Sequence, residues 1–428
     1  MTEDRPPASS PRVHPANPSA TNETDIVLLG AGPIGLDAAL ALAENDRDFL
    51  LLEAGPRVAS GVRSWGAVEL FSPWEINLSA RMQRALQTEM DGLDLAACPS
   101  GDDLCNHALD PVARDPRIAP RLRLGHRVVA VGREHLLKPE EIGTPARAAQ
   151  RFRLLVETPG GEQVLFARAV LDCTGSGHQP NWLGASGIPA PGERALDTSA
   201  RSSSQPPLLV RTLANFLEVP DAAWNDREVL LVGGGHSAQT AAVQLAATGA
   251  RLHWALRSDG RAIAPMEGDP LPQRAALHAA SRRLLDGENP RVESLTGVQV
   301  DRLERVGEQV RVTFERHGDT DDPPPTILDV DSVVALVGSR GDQALYRELQ
   351  VQECYATAGP MRLAAALLGE ADPDNAADCM EQTGQGPETL VTPEPGYFIL
   401  GSKSYGRNSA FLLRIGYQQV DDVLTLIG

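Results

Sequence analysis

Two glycine-rich turns constrain this chain more than anything else in it. The first reads Gly30-x-Gly32-x-x-Gly35 and the second Gly233-x-Gly235-x-x-Ala238. A run of apolar and β-branched residues precedes each one, Asp25-Ile26-Val27-Leu28-Leu29 and Val229-Leu230-Leu231-Val232. That is the pattern of a strand buried on both faces. Behind each turn lies a stretch of helical composition, residues 36–44 and 237–248, and then another apolar run, residues 48–53 and 251–256. Strand, turn, helix, strand is a βαβ unit, and two copies in one chain predict an α/β protein.

The glycines suit the binding of a pyrophosphate. The first permits the sharp turn out of the strand, the second lets phosphate oxygens approach the backbone, and the third lets helix and strand pack closely. Pro33 and Ile34 open the helix behind the first turn, as His236 and Ser237 open the one behind the second. A helix start offers free N–H groups and the positive end of the helix dipole to an anion. Glu53 closes the second strand of the first unit, 23 residues past Gly30, where a carboxylate accepts the ribose hydroxyls of an adenosine. The second unit has no acid there. Arg257 stands 24 residues past Gly233, with Arg261 close by. An arginine suits a ribose 2′-phosphate and favours NADPH over NADH. His236 would face that nucleotide's pyrophosphate, and Ser237 would cap or line the helix.

Charge points the same way. The chain of 428 residues has 39 Lys and Arg against 57 Asp and Glu, a net −18. A field of that sign repels nucleic acid and anionic membrane surfaces, so an anionic ligand must be held by local dipoles or single arginines. Five cysteines are too few, and odd in number, for a disulfide framework. No apolar run approaches the ~18 residues of a membrane span. The first residues lack the basic start and apolar stretch of a secretory signal. The nine histidines contain no pair at metal-ligand spacing. Together these features predict a soluble, cytoplasmic protein without a metal site. Residues 1–24, rich in Pro, Ser and Thr, read as a disordered tail.

Elsewhere the pattern alternates. Residues 75–120 read as helical and irregular. The runs 127–133, 151–157 and 163–172 read as a small antiparallel sheet with a hairpin at Pro159-Gly160-Gly161, and Arg121, Arg123 and Arg127 as its solvated face. Residues 297–305 and 308–315 form a second hairpin, 329–337 another strand, 397–401 a closing strand and 408–426 a last helix. The implied division is 25–205 for the first part of the first unit, 206–340 for an inserted second unit and 341–428 for the closing part.

Two such sites, an acid at the first and an arginine at the second, resemble the two-dinucleotide-binding-domain flavoproteins of the pyridine nucleotide oxidoreductase superfamily. The resemblance covers the chain from Asp25 on. Leu171-Asp172-Cys173-Thr174-Gly175 is similar to the family's segment returning to the FAD domain, residues 333–338 to its exit from the NADPH domain, and residues 397–401 to its closing FAD segment. It implies a discontinuous FAD domain, an inserted NADPH domain, and small antiparallel sheets. FAD would lie on Gly30, Gly32, Pro33, Ile34, Gly35, Glu53, Thr174, Gly175 and Gly401. NADPH would lie on Gly233, Gly235, His236, Ser237 and Arg257.

Three departures bear on the activity. Ser402 or Ser404 stands where many members place an aspartate for the flavin ribityl chain. There is no CxxC, which leaves a dithiol relay unsupported and Cys354 with Cys379 as the one pair in view. The phenylalanine-glycine-histidine fingerprint of flavin-containing and Baeyer–Villiger monooxygenases is replaced by Asn215-Phe216-Leu217-Glu218-Val219-Pro220. Against this, Gly61-Val62-Arg63-Ser64-Trp65-Gly66 and Phe71-Ser72-Pro73-Trp74 are similar to the glycine–tryptophan loop that covers the flavin in class B monooxygenases. That similarity makes Trp65 a cofactor contact; packing anchors of a long loop explain Trp65 and Trp74 equally well.

The resemblance thus implies a monooxygenase in which NADPH reduces FAD and a flavin hydroperoxide, formed with molecular oxygen, hydroxylates a small substrate. Such chemistry asks no strong acid or base of the protein. Lys403, Tyr405 and Arg407, just past the closing strand, are the catalytic candidates for lining the flavin's reactive end. Two alternatives stand beside it: an NADPH-dependent reductase feeding a quinone, a disulfide or a protein carrier, and a non-catalytic dinucleotide-binding redox sensor. A hydrolase or transferase lacks its nucleophile, since Gly235-His236-Ser237-Ala238-Gln239 has no closing glycine for a nucleophile elbow. His178 and Gln179 follow the Thr174-Gly175 segment, in the inter-domain cleft or in a solvated loop. The substrate and the oligomeric state, a homodimer included, stay open.

Overall fold

The computed structural model describes residues 23–87, 92–177, 179–197, 205–258, 263, 271–316, 326–370 and 384–428. The apolar run before the first turn is β1 (Glu23–Leu29), and the run after its helix is β2 (Phe49–Glu53). They join β3 (Leu122–Leu124), β4 (Arg127–Arg133), β5 (Phe152–Thr158), β6 (Gly161–Asp172) and the closing β17 (Tyr397–Ile399) in one seven-stranded sheet. Its order is β3-β2-β1-β6-β5-β4, with β17 also on β6.

The twelve-residue β6 is the hinge of this layout. Its first residues pair antiparallel with β5, from Gly161↔Thr158 to Ala167↔Phe152. Its last residues pair parallel with β1, ending at Asp172↔Leu29, and with β17, ending at Asp172↔Ile399. The small antiparallel sheet expected from the sequence is therefore a wing of the main sheet rather than a separate one. Of the expected tail, residues 1–22 lie outside the described residues, and the last two are strand. Glu23 and Thr24 already pair with Phe166 and Ala167, and the Thr24 hydroxyl donates to Asp48 at 2.9 Å. Two polar residues at an exposed strand end read as coil because nothing local marks the partner strand.

The second unit is a parallel sheet, β8 (Leu209–Val210), β9 (Glu228–Val232), β10 (Arg251–Leu256), β11 (Val292–Thr296) and β15 (Ser332–Ala335), in the order β11-β10-β9-β15-β8. Against it stands an antiparallel sheet of β12 (Val298–Val306), β13 (Gln309–Arg316) and β14 (Thr326–Val330). The single strand expected at 329–337 is thus two, β14 and β15, in different sheets. A short ribbon of β7 (Gln179–Pro180) and β16 (Ser339–Arg340) pairs the segments that lead into and out of this unit. The architecture is α/β, with one unit inserted into a discontinuous other.

The helix Pro33–Glu44 is buried along nearly its whole length, from Ile34 to Leu42. It packs between the main sheet and the last helix, Leu413–Ile427, whose Ile415, Val420 and Val423 are buried in the same core. That helix begins later than the expected 408. Each such buried Leu or Ile contributes roughly 1.5–3 kcal/mol. The polar Asp37 within it accepts from the Ser79 hydroxyl and, at 2.8 Å, from Arg81. On the opposite face, Glu394 accepts from both Arg133, at 2.6 Å, and Arg147, at 2.7 Å, all three buried. This ion cluster fastens the closing segment to the antiparallel wing.

Candidate functional site

At the first turn the three glycines differ in what surrounds them. Gly30 has φ +94°, and a Cβ there would stand 2.9 Å from the Cys173 carbonyl oxygen. A Cβ at Gly35 would overlap the Gly30 carbonyl oxygen. Gly32 differs from both, because a Cβ there would meet no atom within 4 Å. Its backbone is extended, φ −82° and ψ −171°, so glycine is not needed there for conformation. What it keeps is open space in front of the helix start, where Pro33 takes the first position. Glu53, 7 % exposed, accepts the Ala31 N–H at 3.0 Å and the Gly55 N–H at 2.9 Å. One carboxylate oxygen takes each, which leaves each with a further lone pair for a ribose hydroxyl.

The second turn repeats the pattern. Gly233 has φ +129° and a Cβ there would overlap Leu336, while a Cβ at Gly235 would meet no atom within 4 Å. His236 opens the helix His236–Ala247, and Ser237 beside it is exposed. The His236 Nε2 lies 3.1 Å from His278 Nε2, with the two rings stacked at 5.2 Å. Phe71 meets His236 edge to face at 5.4 Å. Arg257 is exposed immediately after β10. Arg261, His178 and Cys379 lie outside the described residues.

Phe71 belongs to a ribbon reaching across from the first unit. Leu70 donates to Pro99, Trp74 to Ala97 and Gly101 to Val68 along it. Val68 packs against the core of the second unit. The aromatic that this ribbon brings to the second turn is Phe71. Trp65 is half-buried over Gly101, whose Cβ would come within 2.7 Å of its ring, and Trp74 is a core residue at 3 % exposure.

Beside the first turn, Asp172 ends β6 fully buried. One of its oxygens accepts the Thr174 N–H at 3.1 Å and the Thr174 hydroxyl at 2.6 Å. The other accepts Lys403 Nζ at 2.6 Å and the Tyr397 hydroxyl at 2.8 Å. Burial, and then Asp172, push the Tyr397 phenol well up. Lys403 is thus enclosed, 3 % exposed, over the Tyr346 ring. Tyr405 is enclosed against Phe411, and Arg407 is exposed. The three catalytic candidates do not share a surface. Gly175 and Gly401 both have positive φ, +74° and +72°. A Cβ on Gly401 would stand 3.1 Å from Ile34. Ser404 is spent on Gly401 O and Gln419, while Ser402 faces Ser176 at 3.2 Å.

The thiols are unlike one another. Burial pushes Cys105 up to about 11 and Cys173 higher still. Backbone N–H groups of Thr357 and Ala356 draw Cys354 down. All four described cysteines are free. Sequence reasoning missed Asp172 and Tyr397 as a pair with Lys403, Phe71 as the contact between units, and His278. Only Asp172 carried a signal, as the acid that ends the apolar run two residues before Thr174. Among the described residues no cluster of His, Cys, Asp or Glu could hold a metal, and no helix is long and apolar enough to cross a membrane.

The sequence matches no protein-family model and no curated protein. Solved structures do match. Bacillithiol disulfide reductase from Bacillus cereus aligns with a TM-score of 0.64 at 18 % identity, over 95 % of this chain and 98 % of that one. An ornithine N-hydroxylase from Kutzneria sp. 744 aligns at 0.62 and 16 %, over 95 % and 99 %. The cadaverine monooxygenase of desferrioxamine biosynthesis from Erwinia amylovora, solved with FAD, aligns at 0.61 and 12 %, over 94 % of each. At these identities the likeness is one of fold, which this chain shares with those structures over nearly its whole length. These similar structures include both monooxygenases and disulfide reductases.

Proposed function

We propose that this protein is an FAD-dependent oxidoreductase reduced by NADPH, acting as a monooxygenase on a small molecule. The observation that carries the cofactor reading is the pair of open glycines, Gly32 and Gly235, each facing empty space at a helix start within a turn otherwise packed solid. FAD would lie on the unit built from 25–205 and 341–428, and NADPH on the one built from 206–340. Gly32 and the N-terminus of Pro33–Glu44 would take the FAD pyrophosphate, with Glu53 holding the adenosine ribose and Thr174, Gly175 and Gly401 bordering the flavin end. Gly235, His236 and Ser237 would take the NADPH pyrophosphate and Arg257 its 2′-phosphate. Bound FAD supplies hydride acceptance and oxygen activation. The chain supplies the rest: Asp172 keeps Lys403 in place against the Thr174 turn, and the ribbon carrying Phe71 lies against His236 at the second site.

Two observations favour oxygen transfer over a thiol relay. The chain has no CxxC, and burial holds the Cys105 and Cys173 thiols protonated. The second reading, a reductase for a disulfide, quinone or protein carrier, rests on the likeness to bacillithiol disulfide reductase.

Anaerobic reduction of the FAD-loaded protein by NADPH, followed by oxygen, separates the readings. Delayed reoxidation, and an NADPH consumption that yields hydroxylated amine or sulfide in place of hydrogen peroxide, support the monooxygenase. Anaerobic NADPH consumption sustained by an added disulfide or quinone supports the reductase. A protein that takes up no FAD ends both.

A further inference from the structure

We propose that Trp254 and Gln239 are positioning residues that aim the second turn's N–H groups at the nucleotide pyrophosphate. The proposal rests on the NADPH reading of that turn. Trp254, on β10 and fully buried, donates its indole N–H to the Gly233 carbonyl at 2.8 Å. Gln239, one turn into the helix and 2 % exposed, donates Nε2 to the Gly234 carbonyl at 3.1 Å. In a trans peptide the C=O and the following N–H point in opposite directions. Pulling the Gly233 and Gly234 carbonyls inward therefore turns the N–H groups of Gly234 and Gly235 outward. At Gly235, the second of these residues, an added Cβ would meet no atom within 4 Å.

The first turn is built the other way round. There an acid, Glu53, holds the Ala31 N–H, which is the partner of the Gly30 carbonyl. An N–H taken by a carboxylate is not offered to a phosphate. The second turn has donors on its carbonyls instead, so its amides stay directed at the ligand.

Gln239 also carries a cost that identifies its role. Its Oε1 is buried and meets no donor among the described residues. A buried acceptor without a partner destabilises a fold, and an apolar side chain of similar length would remove the penalty. A residue kept only for stability would not look like this.

The test uses the FAD-loaded full chain with NADP+ as probe, in three forms: wild type, Gln239→Met and Trp254→Phe. Calorimetric titration gives the NADP+ affinity and thermal unfolding gives Tm. Gln239→Met is expected to bind NADP+ about fivefold more weakly, the worth of one hydrogen bond, with Tm unchanged or raised. Trp254→Phe is expected to show a similar loss of affinity with lowered Tm, because the smaller ring leaves a void. FAD content should be unchanged in both. Gln239→Met with wild-type affinity overturns the proposal alone, and so does a lowered Tm with unchanged binding. A wild-type protein without affinity for NADP+ overturns the NADPH reading and the proposal together.

Discussion

Replacing Gly32 by alanine should separate folding from cofactor binding in a single methyl group. The backbone at Gly32 is extended, φ −82°, which alanine adopts without strain. The added Cβ meets no atom within 4 Å, so the folded chain has room for it. A Gly→Ala change at a compatible site restricts the unfolded chain and stabilises by about 0.4–1 kcal/mol. Stripped of FAD, Gly32→Ala should therefore unfold in urea at the same or a slightly higher midpoint than wild type. FAD binding should respond in the opposite sense. The methyl occupies the approach to the helix start, and losing one charge-assisted hydrogen bond to a phosphate costs about 1.5–3 kcal/mol. At 1.4 kcal/mol per decade, that is roughly a ten- to hundredfold loss of affinity. Quenching of FAD fluorescence during titration of apoprotein measures it. Wild-type FAD affinity would refute the placement of the pyrophosphate, and an apoprotein destabilised by more than ~1 kcal/mol would refute the reading of Gly32 as open space.

Other consequences follow from the same geometry. Gly35→Ala, whose Cβ overlaps the Gly30 carbonyl, should give insoluble or unfolded protein; a soluble variant with native circular dichroism would count against the packing role. Lys403→Met leaves the buried Asp172 without its cation, and breaking such a pair costs about 3–5 kcal/mol, so a urea midpoint close to wild type would remove that ion pair from the account. Burial raises the Asp37 carboxyl above its ordinary range despite Arg81. A raised acid favours folding below its folded pKa, and that contribution is lost as pH rises through it. The stability of wild type relative to Asp37→Asn should therefore be greater at pH 4 than at pH 7, and the reverse trend would contradict this. Among Cys105, Cys173 and Cys354, iodoacetamide should label Cys354 first in native protein at neutral pH, as peptide mass spectrometry reads directly.

The parts of this structure that could be read from the sequence are those whose cause is local. A strand that is apolar throughout, a glycine that must take positive φ and a helix that starts at once behind it are all set within a dozen residues. That is why Gly30, Gly233 and the ends of β2 and β10 fall where the pattern puts them. Lys403 was legible only as a charge in a loop. Its enclosure depends on β17 pairing with β6, and its partner Asp172 lies 231 residues away. Glu394 and its two arginines are 261 and 247 residues apart, and none has a neighbour in sequence that marks it as buried. Arg121 precedes β3 and Arg123 is its middle residue, in a three-residue strand too short to show alternation, which joins the parallel side of the main sheet through β2. Phe71 lies in a loop between Trp65 and Trp74 with nothing local to single it out, and the ribbon's hydrogen bonds to residues 95–101 explain where it goes.

The placement of β17 on β6 also sets an order of events during synthesis. The second unit is continuous in sequence from β8 to β15, and it can close while the chain is still emerging from the ribosome. The first unit cannot. Until Tyr397–Ile399 arrives, the end of β6 presents an open edge, and the Asp172 carboxylate has neither Lys403 nor Tyr397 to meet it. The glycine cradle that comes first in the chain is thus the last to be finished, and a nascent chain halted before residue 397 should display a closed second unit beside an unfinished first one.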